Sequence, residues 1–226
     1  MALHPLDNPV WAALSGRQQN FATGSGRFKC FRDDVGLFAA SARPEDGYEG
    51  LGDVMHPGAV VGIVTTAPIG IPAGLELVEA SAVPQMVAAS FVPAGRDVSM
   101  RTLADPDVPA MLELTGLTRP GPFFSRTIEL GHYLGVFDGP RLVAMAGERM
   151  RLPGLTEISA VCTHPDYQGR GYAKALMSSI GREIVARGET PFLHVRAANA
   201  VAIATYRSLG FDVRREIIFT VLRRPA

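Results

Sequence analysis

Val161-Cys162-Thr163-His164-Pro165-Asp166-Tyr167-Gln168-Gly169-Arg170-Gly171-Tyr172-Ala173 joins an apolar strand to an amphipathic helix through a loop with two glycines. Such a junction leaves backbone N–H groups unpaired at the positive end of a helix, which suits a phosphate or pyrophosphate. Gly169 and Gly171 let the main chain approach such a group with no Cβ in the way, and Arg170 adds charge beside it. Upstream, simple alternation over 156–163 puts Glu157, Ser159, Val161 and Thr163 on one strand face. Ile158, Ala160 and Cys162 fall on the other, where Cys162 is expected as a buried thiol. Downstream, Ala173, Leu176, Met177, Ile180 and Ile184 recur at helical spacing, and Gly188 is a natural stop.

Further out, Asp138-Gly139-Pro140 is a hairpin turn between strands over 133–137 and 141–151. A strand over 97–103 and a helix over 107–116 precede them; a short strand over 192–196, a helix over 199–209 ended by Gly210, and a strand over 213–222 follow. Asn199, Ala202, Tyr206, Gly210 and Phe211 form a second patterned element. The order of elements predicts a mixed α/β sheet. Before Pro93-Ala94-Gly95 the chain is rich in Gly and Pro. There Asn8-Pro9 is expected to cap and start a helix over 9–20, with apolar strands over 59–66 and 75–79.

With 226 residues, 47% apolar and 19% charged, the chain is globular and long enough for one large domain or two small ones. The formal net charge of +0 supplies no field for nucleic acid or an anionic membrane. No apolar stretch approaches the ~20 residues of a membrane span, and Met1 to Leu6 lack a signal-peptide pattern. Cys30 and Cys162 fit neither a zinc pattern nor a disulfide framework. These features lead us to expect a reduced cytoplasmic protein without a metal.

The two patterned elements resemble the GNAT acyltransferase superfamily. Its signature, Gln/Arg-x-x-Gly-x-Gly/Ala, is matched from Gln168 to Ala173. Its Asn-x-x-Ala-x-x-x-Tyr-x-x-x-Gly-Phe pattern is matched from Asn199 to Phe211. The resemblance covers residues 97–224. The first half is similar to the extra region of the FR47-like and glycine N-acyltransferase-like branch. The resemblance implies the GNAT fold, a mixed central sheet with helices on both faces, with a catalytic domain over 96–226. Residues 1–95 are then a smaller N-terminal region, a degenerate second copy of that fold covering the acceptor cleft. It further implies transfer of an acetyl or other short acyl group from acetyl-coenzyme A to the primary amine of a small molecule or peptide, in a monomer or homodimer. Pantetheine would pair with the backbone of Val161, Cys162 and Thr163. The pyrophosphate would lie on Gln168, Gly169, Arg170, Gly171, Tyr172 and Ala173. Asn199 would approach the pantetheine as well as cap its helix. Tyr206 matches the family's general acid, and Glu157, eleven residues before Gln168, stands where one branch carries its base.

Plainer roles stand beside these. The glycines also suit a tight turn, Tyr206 a core aromatic, and Glu157 a strand ion pair. His164 precedes a proline in a turn and reads as structural. His194, alternating with Phe192 and Arg196, lines either the core or a substrate cleft. A different class of function is a GNAT-fold module that binds acyl-coenzyme A as a sensor without turnover.

Overall fold

The last long strand of the chain lies in the middle of the sheet, between two strands from the N-terminal half. The computed structural model describes residues 4–24 and 26–226, so the part of the N-terminal reading that falls on 1–3 lies outside the described residues. The strands are β1 (Ala22–Thr23), β2 (Phe28–Phe31), β3 (Phe38–Ser41), β4 (Val60–Thr65), β5 (Glu76–Val87) and β6 (Arg101–Thr102). They continue as β7 (Tyr133–Asp138), β8 (Arg141–Leu152), β9 (Leu155–Thr163), β10 (Thr190–His194) and β11 (Asp212–Arg223). The helices are α1 (Pro9–Leu14), α2 (Val108–Thr118), α3 (Tyr172–Ala186) and α4 (Ala200–Arg207). All strands join one 11-stranded sheet in the order β1-β2-β3-β4-β11-β5-β10-β9-β8-β7-β6.

Helices cover both faces, as expected. Leu176, Met177, Ile180 and Ile184 of α3 pack on one face against Ala144, Ile158 and Leu193. On the other face α2 buries Met111 and Leu114 against Tyr133, Met145 and Cys162. There α1 also buries Val10, Ala13 and Leu14 with Phe38, Met150 and Phe192. Each cluster removes several large apolar side chains from water, worth roughly 1.5–3 kcal/mol apiece. The sheet curls around α1. Although β3 and β8 are far apart in strand order, the Arg149 guanidinium of β8 lies 4.7 Å from the Phe38 ring centroid of β3. Gln18, just past α1, fastens this curl by donating to the Leu130 and Arg149 carbonyls and accepting from Arg151 N–H.

Several sequence expectations are corrected. The sheet runs unbroken past Pro93–Gly95, which only connects β5 to β6, and β11 pairs with both β4 and β5. The expected strand over 75–79 extends to Val87 because its β-branched residues find two neighbours, β10 and β11. By contrast, the expected strand over 97–103 shrinks to Arg101–Thr102, since only β7 offers a partner. The expected helix over 9–20 stops at Leu14, with Gly16 following. Asn8 does not cap it; its side-chain amide donates to the Ser41 carbonyl at 2.8 Å. Gly210 is required by crowding as well as conformation. Its φ is 85°, and a Cβ would stand 2.2 Å from the Ser90 carbonyl oxygen. Among the described residues no helix is long and apolar enough to cross a membrane.

Candidate active site

β9 and β10 run parallel and pair only through Leu155↔Thr190, Thr156↔Pro191 and Glu157↔Phe192. Beyond that point they separate, and β10 continues paired with β5 alone through Leu193↔Met86 and His194↔Gln85. The remainder of β9, Ser159 to Thr163, then has β8 on one side and no strand on the other. Backbone donors and acceptors in such an edge are available to an amide-bearing ligand. A cleft of roughly 350 Å³ opens there, lined among others by Val161, Cys162, Thr163, Gln168, His194, Asn199 and Tyr206.

The loop after β9 arrives at the α3 N-terminus as the sequence implies. Gly169 and Gly171 both hold left-handed backbone, with φ of 75° and 76°. Their missing Cβ atoms face open space: nothing stands within 4 Å of Gly169, and only the Arg96 side chain, 3.8 Å away, approaches Gly171. Internal packing therefore does not explain the room above this loop, although a tight turn alone explains the φ values. No side chain caps α3 at Gly171. Among the described residues no acceptor meets the N–H groups of Gly169, Arg170 and Gly171. A pyrophosphate fits this cradle by charge and by vacant donors. Tyr172 and Ala173 open the helix, half-buried. Arg170 lies 4.5 Å over the Tyr167 ring and Arg96 5.4 Å over Tyr172, so two guanidiniums flank the loop. Arg96 was not legible in the sequence, because only the fold carries it back to α3 from the connector after β5.

Alternation along β9 fails midway, which corrects the assignment of faces. Ala160 has a φ of 53°, and Ala160 and Val161 together oppose Ala146 alone, making a bulge. Past the bulge the faces exchange. Val161 joins Ile158 against α3, whereas Ala160 and Cys162 turn toward α2. Glu157 therefore does not share a face with Val161. Cys162 is the expected buried thiol, and burial pushes it up to about 11.

Glu157 itself lies fully buried beneath the cleft. Arg149 grips it in bidentate fashion, Nε donating to Oε2 at 2.8 Å and Nη2 to Oε1 at 2.6 Å. His194 Nδ1–H donates to the same Oε1 at 2.7 Å, and the Gln85 amide donates to His194 Nε2 at 3.1 Å. Arg214 in turn donates to the Gln85 carbonyl oxygen at 3.0 Å, which fixes the amide's orientation. One residue from each of the five adjacent strands β11, β5, β10, β9 and β8 thus enters a single polar ladder. Bulges at both ends, Arg214 in β11 and Arg149–Met150 in β8, aim the arginines into it.

Burial alone would raise the Glu157 carboxyl, but Arg149 and then His194 outweigh it and hold it at about 2. A carboxylate so held is a poor proton acceptor and has no surface open to the cleft, which weighs against Glu157 as a base, direct or through water. The shift also has a sign for stability. The carboxyl lies below its ordinary 4.5, so its contribution is complete above that pH and drains away as pH falls toward about 2. The stability gap between wild type and Glu157→Gln should therefore narrow on acidification through this window in denaturant melts. A gap independent of pH would mean that the charge contributes nothing.

Tyr206 projects from α4 into the cleft, half-buried, with its ring centroid 6.3 Å from that of Phe211. Burial pushes its phenol up to about 12, so it keeps its proton at neutral pH. Asn199 Oδ1 accepts from Ala202 N–H at 3.1 Å, capping α4 while lining the cleft. His164 makes the contacts of a turn residue: Nδ1 accepts from Asp166 N–H at 3.2 Å, and Nε2 lies 2.7 Å from Arg141 Nη2.

Comparison with known proteins agrees with this geometry. A family model described as FR47-like protein matches residues 133–220. The chain is 33% identical over 116 residues to the [ribosomal protein bS18]-alanine N-acetyltransferase of Salmonella typhimurium, covering 49% of this chain and 78% of that one. It is 41% identical over 86 residues to the N-alpha-acetyltransferase RimI of Mycobacterium tuberculosis, covering 36% of this chain and 52% of the relative. The match thus spans about half of that relative's length, 52%. A solved GNAT-family structure from Novosphingobium aromaticivorans superposes with a TM-score of 0.92 at 39% identity, covering 99% of this chain and 100% of that one. A GCN5-related N-acetyltransferase from Kribbella flavida shares the fold alone, with a TM-score of 0.61 at 13% identity. On its motifs, its topology and these relatives, the chain belongs to the GNAT N-acetyltransferase superfamily.

Proposed function

We propose that this protein is an N-acetyltransferase that moves an acetyl group from acetyl-coenzyme A directly to a primary amine. The observation that carries the reading is the cradle of N–H groups at Gly169–Gly171, without acceptors among the described residues, in the loop that follows the open backbone edge of Val161–Thr163. Pyrophosphate on the first and pantetheine along the second would deliver the thioester into the throat between β9 and β10. There Tyr206 lines one wall and His194 another.

In the reaction, the neutral amine attacks the acetyl carbonyl carbon, the carbon–sulfur bond breaks, and Tyr206 gives its proton to the departing sulfur. The proton lost by the nitrogen leaves to cleft water, since Glu157 is sealed and both His194 nitrogens are engaged. Glu157 serves instead to hold Arg149 and His194 in place. Residues 96–226 supply the donor site. Residues 1–95 supply the opposite wall through Phe38, Val64 and Val83, a role that requires no cofactor signature of their own.

Titration calorimetry with acetyl-coenzyme A, followed by thiol release in the presence of amines, tests this reading. Wild type should bind in the micromolar range and release thiol only with acceptor present. Gly171→Glu, which puts a carboxylate into the cradle at a left-handed position, should abolish binding. Undiminished affinity in that variant would remove the pyrophosphate assignment. Tight binding without release for any amine would instead indicate a sensor.

A further inference from the structure

We propose that the acceptor is a small amine carrying a carboxylate and an apolar side chain, as an apolar α-amino acid does. The inference rests on the acetyltransferase reading above and names the substrate of that same cleft.

The anchor is Arg149. Glu157 occupies its Nε and Nη2, and its planar guanidinium lies over the Phe38 ring at 4.7 Å. Nη1 has no partner among the described residues, and the side chain keeps 12% of its surface open, on the cleft that it lines. A guanidinium fixed on two edges and free on the third is an oriented donor for an anion, with little side-chain entropy left to lose. The position relative to the throat sets the kind of anion. Arg149 Nη2 and His194 Nδ1–H both donate to the same oxygen, Glu157 Oε1, at 2.6 and 2.7 Å. The anchor and the throat are therefore neighbours, and an amine one carbon from its carboxylate spans them. A distant amine, such as a lysine side chain on a protein, does not need such an arrangement.

The remaining surface fits the rest of such a molecule. Val64, Val83, Ile217 and Phe219 give the acceptor side an apolar wall. The charged lining is mostly basic, with Arg119, Arg149 and Arg196 against the exposed Glu79 as the one acidic side chain. A polycationic acceptor would find three guanidiniums there instead of an acidic trough. A carboxylate finds a charge-assisted partner, and an apolar side chain finds a surface that water leaves readily.

The test uses the intact protein with acetyl-coenzyme A and a matched acceptor set, read by thiol release and by mass of the product. The set is L-leucine and L-phenylalanine, their amides, the corresponding amines without a carboxylate, a peptide with N-terminal alanine, and spermidine. The free amino acids should give kcat/KM at least tenfold above their amides and their decarboxylated amines, with the loss mainly in KM, and spermidine should be inert. Equal or better turnover of the amides, the plain amines or the peptide would overturn the carboxylate anchor while leaving the acetyltransferase reading intact. Binding of acetyl-coenzyme A with no transfer to any of these acceptors would also overturn it. Failure to bind acetyl-coenzyme A at all would strike the underlying reading instead.

Discussion

Tyr206→Phe is expected to lower acetyl transfer roughly a hundredfold or more while leaving acetyl-coenzyme A affinity nearly unchanged. The substitution removes only the phenolic oxygen. The ring remains beside Phe211, so α4 and its Asn199 cap should keep their places. With the phenol at about 12, wild type has its proton in hand across the neutral range. A pH profile of kcat should therefore show no falling limb from this group below alkaline pH. In the variant the departing sulfur must leave as a thiolate or find water, and either route raises the barrier. Measured by thiol release at saturating amine, a wild-type rate would remove the general-acid role. A parallel loss of binding would show instead that the hydroxyl holds the donor.

Arg149→Ala is expected to cost about 3–5 kcal/mol of stability, because it leaves a fully buried carboxylate without its cation. For a chain of this size that corresponds to a fall in Tm of roughly 6–20 °C. Replacing both partners tests the explanation. Arg149→Met combined with Glu157→Leu removes the orphaned charge and should recover much of the loss. If the double variant is as unstable as the single one, the deficit comes from the lost Phe38 stacking and the cleft wall, not from electrostatics.

Much of the C-terminal half was legible because its elements carry periodicity of their own. The α3 stripe at Leu176, Met177, Ile180 and Ile184 and the turn at Gly139 are local signals, and both elements stand within a residue or two of their expected bounds. The face of Val161 was not legible. A bulge at Ala160 depends on how β8 pairs with β9, and nothing in the alternation of 156–163 signals it. The same holds for Glu157. Its spacing from Gln168 is visible, but Arg149 reaches it only through the bulge in β8, and His194 only through the splay of β10. β1, β2 and β3 were missed altogether. They are four residues or fewer and are stabilised by long-range neighbours and by α1, not by any repeating pattern. Arg96 and Gln85 likewise gain their places only when β5 enters the C-terminal sheet.

The placement of β11 between β4 and β5 has a bearing on how the chain acquires its structure. Synthesis releases β4 and β5 early, yet the strand that joins them emerges only after β6 to β10. Until then both strands present bare hydrogen-bonding edges, Val60 to Thr65 on one and Glu76 to Val87 on the other, with Leu77 and Val78 exposed on the second. Pairings between opposite ends of a chain form slowly, because the loop between them must close before any contact stabilises it. The nascent protein therefore passes through an interval in which β4 and β5 are synthesised but not yet bridged. β11 acts as the clasp that ends it, and a chain that stops short of Asp212 would keep those edges open to other chains.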